Sequence, residues 1–245
     1  GLLKKENITE KNINLMIVGS EFSFNTYRNA FLYNGNIERI GTPRCDLFFN
    51  KDICNGLIKK IFKAYGIAEK KKVVLYAPTF RRNQDINEAY MDIEYVQDKL
   101  GKDYVLMVRF HPNTNLEMKS DNLNVIDVTS YPDMQELLCA VDVLITDYSG
   151  CCFDMMIANK PCILFVKDIE EYLSKERGVY FTMDELPFPK VKKEDELVEI
   201  IKKNDYNAYF ENIRNFDMKI GLYEKGNASK NLKNIIDDVI DGRRL

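Results

Sequence analysis

One stretch restricts this chain more than any other: Ala140 to Asp154, AVDVLITDYSGCCFD. Val141 to Ile145 is a short apolar run rich in β-branched residues, interrupted only by Asp142, and predicts a buried strand. Thr146-Asp147-Tyr148-Ser149-Gly150 follows with residues that favour turns and helix N-caps, and Phe153 to Ala158 resumes an apolar helical pattern. A strand passing through a tight polar turn into a helix is how an open α/β sheet holds an anion. Backbone N–H groups and the positive end of the helix face the crevice beyond the strand's carboxyl end. The hydroxyls of Thr146 and Ser149 would add two donors for a phosphate. Equally, Ser149 or Asp147 fits a plain helix cap, and Asp147 also fits an acceptor for a ribose or glycerol hydroxyl. Asp154, one turn into the helix, stands where the helix dipole favours a carboxylate.

The strand-then-helix pattern repeats around this stretch. Val73–Ala77, Tyr104–Arg109, Asn124–Val128 and Cys162–Val166 are further apolar runs of strand length. Helical patterns over Met91–Leu100 and Asp133–Ala140 lie between them. Strands separated by helices require crossovers, which predicts an α/β fold with a parallel sheet and helices on both faces. Ahead of it, Asn14–Val18 and Ile37–Ile40 read as strands, with a helix between them capped by Ser20 and running to about Phe31. Asp52–Tyr65 reads as a helix with Ile53, Leu57, Ile58 and Ile61 on one side and Gly66 at its end. Behind it come a short helix over Ile169–Lys175, an extended loop from Arg177 to Phe181, and helices over Lys193–Lys203, Tyr206–Phe216 and Ala228–Ile240.

Polar, turn-forming residues collect where these strands end. Thr79, Arg81 and Arg82 follow the first, His111 the second, and Thr146 to Ser149 the fourth. In an open parallel sheet such ends converge on one crevice. Arginine, histidine and a helix start together suit an anionic, phosphorylated ligand. His111 is the chain's single histidine, beside Arg109 at a strand end, with Pro112 holding the backbone before it extended. Its functional form would donate a hydrogen bond or positive charge to a bridging phosphate. The loop at Arg177 fits either a cover over the crevice or plain surface.

A formal net charge of −3 opposes a nucleic-acid binder, which is usually basic. No apolar run approaches bilayer length, and Gly1-Leu2-Leu3-Lys4-Lys5 lacks the apolar core of a signal peptide. The six cysteines lack zinc-site spacing, so no metal centre is expected, and reduced thiols in a reducing cytoplasm are the simplest account of them. GxGxxG, P-loop and nucleophile-elbow motifs are absent, which leaves dehydrogenase, kinase and hydrolase readings without a motif.

Several of these motifs, in order, resemble one family. Leu75-Tyr76-Ala77-Pro78-Thr79-Phe80-Arg81, Arg109-Phe110-His111-Pro112, the run from Asp127 to Leu137 and Asp142 to Ser149 are similar to the CDP-glycerol glycerophosphotransferases of teichoic-acid and capsule synthesis. Phe153-Asp154, Lys160-Pro161, Arg177-Gly178-Val179-Tyr180-Phe181, Ser20-Glu21-Phe22 and Gly41 to Asp46 match further segments of that family. The resemblance implies a GT-B fold: a Rossmann-like donor domain over residues 53–245, with residues 1–52 the remnant of an acceptor domain and the interdomain segment. It implies CDP-glycerol as donor, no cofactor and no bound metal. The acceptor would be a polyol-phosphate or lipid-linked glycan, and CMP would be released. His111 would act as the catalytic charge stabiliser. Thr79, Arg81, Arg109, Thr146, Asp147, Ser149, Gly150, Asp154 and Arg177 would bind the donor. A cytoplasmic location follows, with peripheral attachment to the inner face of the membrane.

Two departures from the family stand out. Gly150 replaces the family's usual second serine, removing a hydroxyl and keeping the N–H. The Trp-His-Gly-type motif of the acceptor domain, whose histidine would be the general base, is absent: the chain has no tryptophan and one histidine. The chain is therefore expected to be a fragment or a truncated relative that binds donor better than it turns it over. CDP-ribitol or nucleotide-sugar transfer, and a non-catalytic nucleotide-binding module, are the competing readings.

Overall fold

The computed structural model describes residues 13–80, 90–111, 114, 120–170, 172 and 180–243. They fall into two compact units, one of residues up to Lys51 together with those from Arg214 onward, the other Asp52–Ile213.

In the first unit, strand β1 (Leu15–Val18) lies parallel to β2 (Asn36–Arg39), joined by the helix Glu21–Asn29. Ser20 caps that helix, its hydroxyl accepting the Ser23 N–H at 3.1 Å. A 3-10 helix over Pro43–Phe49 and the helix Ala228–Ile240 complete the unit. The helix Ala228–Ile240 thus groups with the first residues. The cause is polar: the Asp46 carboxylate accepts the N–H groups of Ala228 at 2.9 Å and Ser229 at 2.7 Å, and Glu224 accepts that of Thr42 at 3.0 Å. A carboxylate on the unpaired N–H groups of a first turn both satisfies them and complements the helix dipole.

The second unit is built on six strands: β3 (Lys72–Tyr76), β4 (Tyr104–Val108), β5 (Val125–Asp127), β6 (Val143–Thr146), β7 (Cys162–Phe165) and β8 (Lys190–Val191). Their order is β5-β4-β3-β6-β7-β8 and every neighbouring pair is parallel. Strands covered on both faces read as continuous apolar runs, and here Val73, Val74, Leu75, Leu144, Ile145, Ile163 and Leu164 are fully buried. Each such side chain contributes about 1.5–3 kcal/mol of burial free energy. The helices Ile93–Leu100 and Glu194–Lys203 pack on one face through Val96, Leu100, Leu197 and Ile201. Asp92 caps Ile93–Leu100 and Asp133 caps Met134–Ala140, each accepting an N–H at 3.0 Å.

Several boundaries differ from expectation. The strand expected from Val141 starts at Val143, because Val141 ends the helix Met134–Ala140 and Asp142 turns its carboxylate to the Val73 N–H at 2.7 Å. The helix Lys51–Tyr65 ends at Gly66, whose φ of +66° suits glycine. It buries Ile61 but leaves Ile53, expected on its apolar side, 50% exposed. At two residues, β8 is too short to leave a periodic signature. Most of the helix expected over Ile169–Lys175 lies outside the described residues, as do Arg177 to Val179.

Candidate functional site

Parallel pairing sets the carboxyl ends of β4, β3 and β6 side by side, at the usual strand spacing of about 4.8 Å. Strand order reverses between β3 and β6, so the crevice of this sheet opens at their ends. The loop after each of the three strands carries candidate residues.

Asp147, at the end of β6 and only 5% exposed, reaches across to the loop after β3. Its carboxylate accepts the Thr79 N–H at 2.9 and 3.0 Å and the Thr79 hydroxyl at 2.6 Å, and also its neighbour Tyr148's N–H at 2.5 Å. Thr146 makes a second stitch: its buried hydroxyl donates to the Ala77 carbonyl at 2.7 Å. The hydroxyl offered by the sequence to a phosphate is thus turned to the β3 backbone.

One residue beyond Thr79, the Phe80 ring lies 5.6 Å from the imidazole of His111, inclined at 38°. His111 is exposed, and its carbonyl accepts the Thr114 N–H at 2.8 Å. Asp147, Thr79, Phe80 and His111 therefore form a continuous row over the ends of β6, β3 and β4. Arg109, half-buried below them, donates from Nη2 to the Tyr131 carbonyl at 3.1 Å. Its buried Nε finds no hydrogen-bond partner among the described residues.

On the far side of Asp147, the helix Cys151–Ile157 begins at Gly150, which has ordinary right-handed φ and ψ of −62° and −12° and no side-chain cap. The Ser149 hydroxyl accepts the Cys151 N–H at 3.4 Å, a long contact, so neither Ser149 nor Asp147 is the cap expected of it. A Cβ added at Gly150 would meet nothing within 4 Å. Asp154 is buried and accepts from the Gln135 amide at 2.9 Å, tying its helix to the start of Met134–Ala140. Burial pushes the Cys151 thiol above its ordinary value, so it is no ready thiolate nucleophile. Arg81, Arg82 and Arg177 lie outside the described residues.

Two further residues at this edge, Asp168 and Tyr172, escaped the sequence. The Tyr148 hydroxyl donates to Asp168 at 2.9 Å, and the Tyr148 ring stacks on that of Tyr172, centroids 3.7 Å apart and 15° from parallel. Tyr148 sits inside the singled-out turn, whereas nothing in the sequence marks Asp168 or Tyr172 as its partners. Among the described residues, no group of three or more His, Cys, Asp or Glu is placed to hold a metal ion. Among them too, no helix is long and apolar enough to cross a membrane.

A six-stranded parallel sheet whose order reverses at a polar crevice defines the Rossmann-like class of α/β domains. Within that class the chain belongs to the CDP-Glycerol:Poly(glycerophosphate) glycerophosphotransferase family, whose model matches residues 3–238. It is 33% identical over 215 residues to a teichoic acid poly(ribitol-phosphate) polymerase of Bacillus spizizenii, covering 84% of this chain and 34% of the relative. It is 31% identical over 229 residues to a teichoic acid poly(glycerol phosphate) polymerase of the same organism, covering 88% of this chain and 57% of that one. Among solved structures, a variant of the wall teichoic acid polymerase TagF soaked with CDPG matches with a TM-score of 0.86 at 28% identity. That match covers 98% of this chain and 61% of TagF. The fold is the expected α/β fold of GT-B type. The chain spans about a third to three-fifths of the length of these relatives.

Proposed function

We propose that this chain is the donor-binding part of a glycerophosphotransferase that takes CDP-glycerol and passes glycerol phosphate to a teichoic-acid or capsule-type acceptor, releasing CMP. The observation that carries the reading is the row Asp147–Thr79–Phe80–His111 across the point where strand order reverses. Membership of the family and the CDPG-soaked TagF structure support the choice of donor.

In this reading an acceptor hydroxyl attacks the phosphorus that carries glycerol. A new P–O bond forms, the bond to the CMP oxygen breaks, and CMP leaves with the electron pair. Negative charge grows on the phosphoryl oxygens and on the leaving CMP. A donor or positive charge held beforehand at those oxygens lowers the barrier without reorganising during the step. His111 is assigned that role. Ser149 and the backbone at Gly150 bind the diphosphate from the β6 side. Arg109 shapes the β4 loop, while Arg81 and Arg177 are assigned to the donor from the family resemblance. Thr79 and Asp147 hold the loop after β3, and Thr146 acts through the backbone of Ala77. Asp154 fixes the helix start. No cofactor is assigned. The proton leaving the acceptor needs a base, and His111, committed to phosphate, is not assigned that task. A polyol-phosphate or lipid-linked glycan acceptor would place the working protein at the cytoplasmic face of the membrane.

Calorimetric titration of this chain with CDP-glycerol, CDP-ribitol and UDP-N-acetylglucosamine tests the reading. Saturable binding of CDP-glycerol alone or most tightly supports it; preference for the UDP-sugar, or binding of none, overturns it. A second reading, CDP-ribitol as donor, is favoured by the 33% identity to a poly(ribitol-phosphate) polymerase. It would appear as tighter binding of CDP-ribitol.

A further inference from the structure

Away from the crevice, two cysteines on different helices meet. Cys54 lies in the first turn of Lys51–Tyr65 and Cys139 in the last turn of Met134–Ala140. Their sulfur atoms are 2.9 Å apart although the residues are 85 positions apart in the chain. A further approach of roughly 0.9 Å reaches the disulfide length of about 2.05 Å. The approach is built into the packing of the two helices. Lys60 pairs with Glu136 at 2.8 Å and lies over the Tyr131 ring at 5.6 Å. The Lys160 ammonium donates to the carbonyls of Leu138, Cys139 and Val141 at 3.0, 2.7 and 2.9 Å, fixing the end of the helix that carries Cys139. Cys54 is half-buried and Cys139 buried, so Cys54 is the more open of the two.

We propose that Cys54 and Cys139 are a dithiol that small-molecule disulfides oxidise to an intramolecular disulfide, a reversible staple between these two helices. The Cys54 thiolate attacks one sulfur of the oxidant RSSR. A mixed disulfide Cys54–S–SR forms and RS⁻ leaves, taking up the proton that Cys54 gave. Cys139 then loses its proton and attacks the Cys54 sulfur, expelling the second RS⁻, which is protonated in turn. Two electrons pass from the protein sulfurs to RSSR, and two RSH are released for each staple closed. Burial holds the Cys139 thiol well above the ordinary thiol range, so the less buried Cys54 reacts first and Cys139 resolves. Closing a long loop restricts the unfolded chain, so the oxidised form melts higher. Cys139 ends a helix that runs back from the strands' carboxyl ends, so the staple lies at the opposite edge of the sheet from the crevice. The inference is therefore independent of which nucleotide the crevice binds.

The test is to incubate the native chain with oxidised glutathione, block the remaining thiols by alkylation and map cross-links by mass spectrometry. The expected result is a peptide joining Cys54 to Cys139, with a melting temperature that rises and falls back on reduction. In Cys139→Ser a glutathione adduct should accumulate on Cys54, and in Cys54→Ser no staple should form. The mapping needs only the unsubstituted chain, so the proposal does not depend on the variants folding. A glutathione adduct that persists on Cys54 in the unsubstituted chain overturns the proposal. So does pairing of either residue with another cysteine, or failure of both to react.

Discussion

The Thr79 hydroxyl donates to the Asp147 carboxylate at 2.6 Å, joining the loops after β3 and β6 over the point where strand order reverses. With the Thr79 N–H on the same carboxylate, a buried acid holds one loop by both its backbone and its side chain. Hydrogen bonds to a charged group contribute about 1.5–3 kcal/mol each. Asp147→Ala, which removes the acceptor of several such bonds, is therefore expected to lower unfolding free energy by at least about 3 kcal/mol in urea titration, and Thr79→Val by less, since Val keeps the N–H bond. The double variant should cost less than the sum of the two, because both remove the same contact.

Leu144, fully buried in β6 between β3 and β7, tests the core that carries the crevice. Leu144→Ala removes its contacts and leaves a cavity, at a cost of about 2–5 kcal/mol. The check is a denaturant midpoint.

Tyr206 offers a test in alkali. Burial raises its phenol from 10.0 to about 12, and its hydroxyl has no hydrogen-bond partner among the described residues. The fold favours the neutral phenol, so its contribution is intact below pH 10 and is lost as pH rises from 10 towards 12, where an unfolded chain would already ionise. Tyr206→Phe should hold its melting temperature better than the unsubstituted chain across that window. At pH 7 it should be as stable or more so, since it removes an unpaired buried hydroxyl.

What was legible in the sequence follows from burial. Strands covered on both faces leave unbroken apolar runs such as VVLYA and YVLMV, and these lie within a residue or two of β3 and β4. The loops at their carboxyl ends were legible too, because turn residues stop such runs abruptly. Pairing across the chain was not. Thr146 looked like a phosphate donor because its partner, the Ala77 carbonyl, lies 69 positions away. The helix Ala228–Ile240 was legible from its period, but its place beside the first residues depends on Asp46, 182 positions upstream of Ala228.

Gly150 is the departure from the family most easily reversed. Its φ is negative and a Cβ there meets nothing, so Gly150→Ser should change stability by less than about 0.5 kcal/mol. In calorimetry the added hydroxyl should tighten CDP-glycerol binding.

Titration of CDP-glycerol into the unsubstituted chain and into His111→Ala tests the central claim most directly. His111 is exposed, so its loss should leave the melting temperature in place. Losing one charge-assisted hydrogen bond of about 1.5–3 kcal/mol predicts affinity lower by roughly ten- to a hundredfold. Equal affinity in the two proteins, with saturable binding in both, would contradict the assignment of this imidazole to the donor's phosphates.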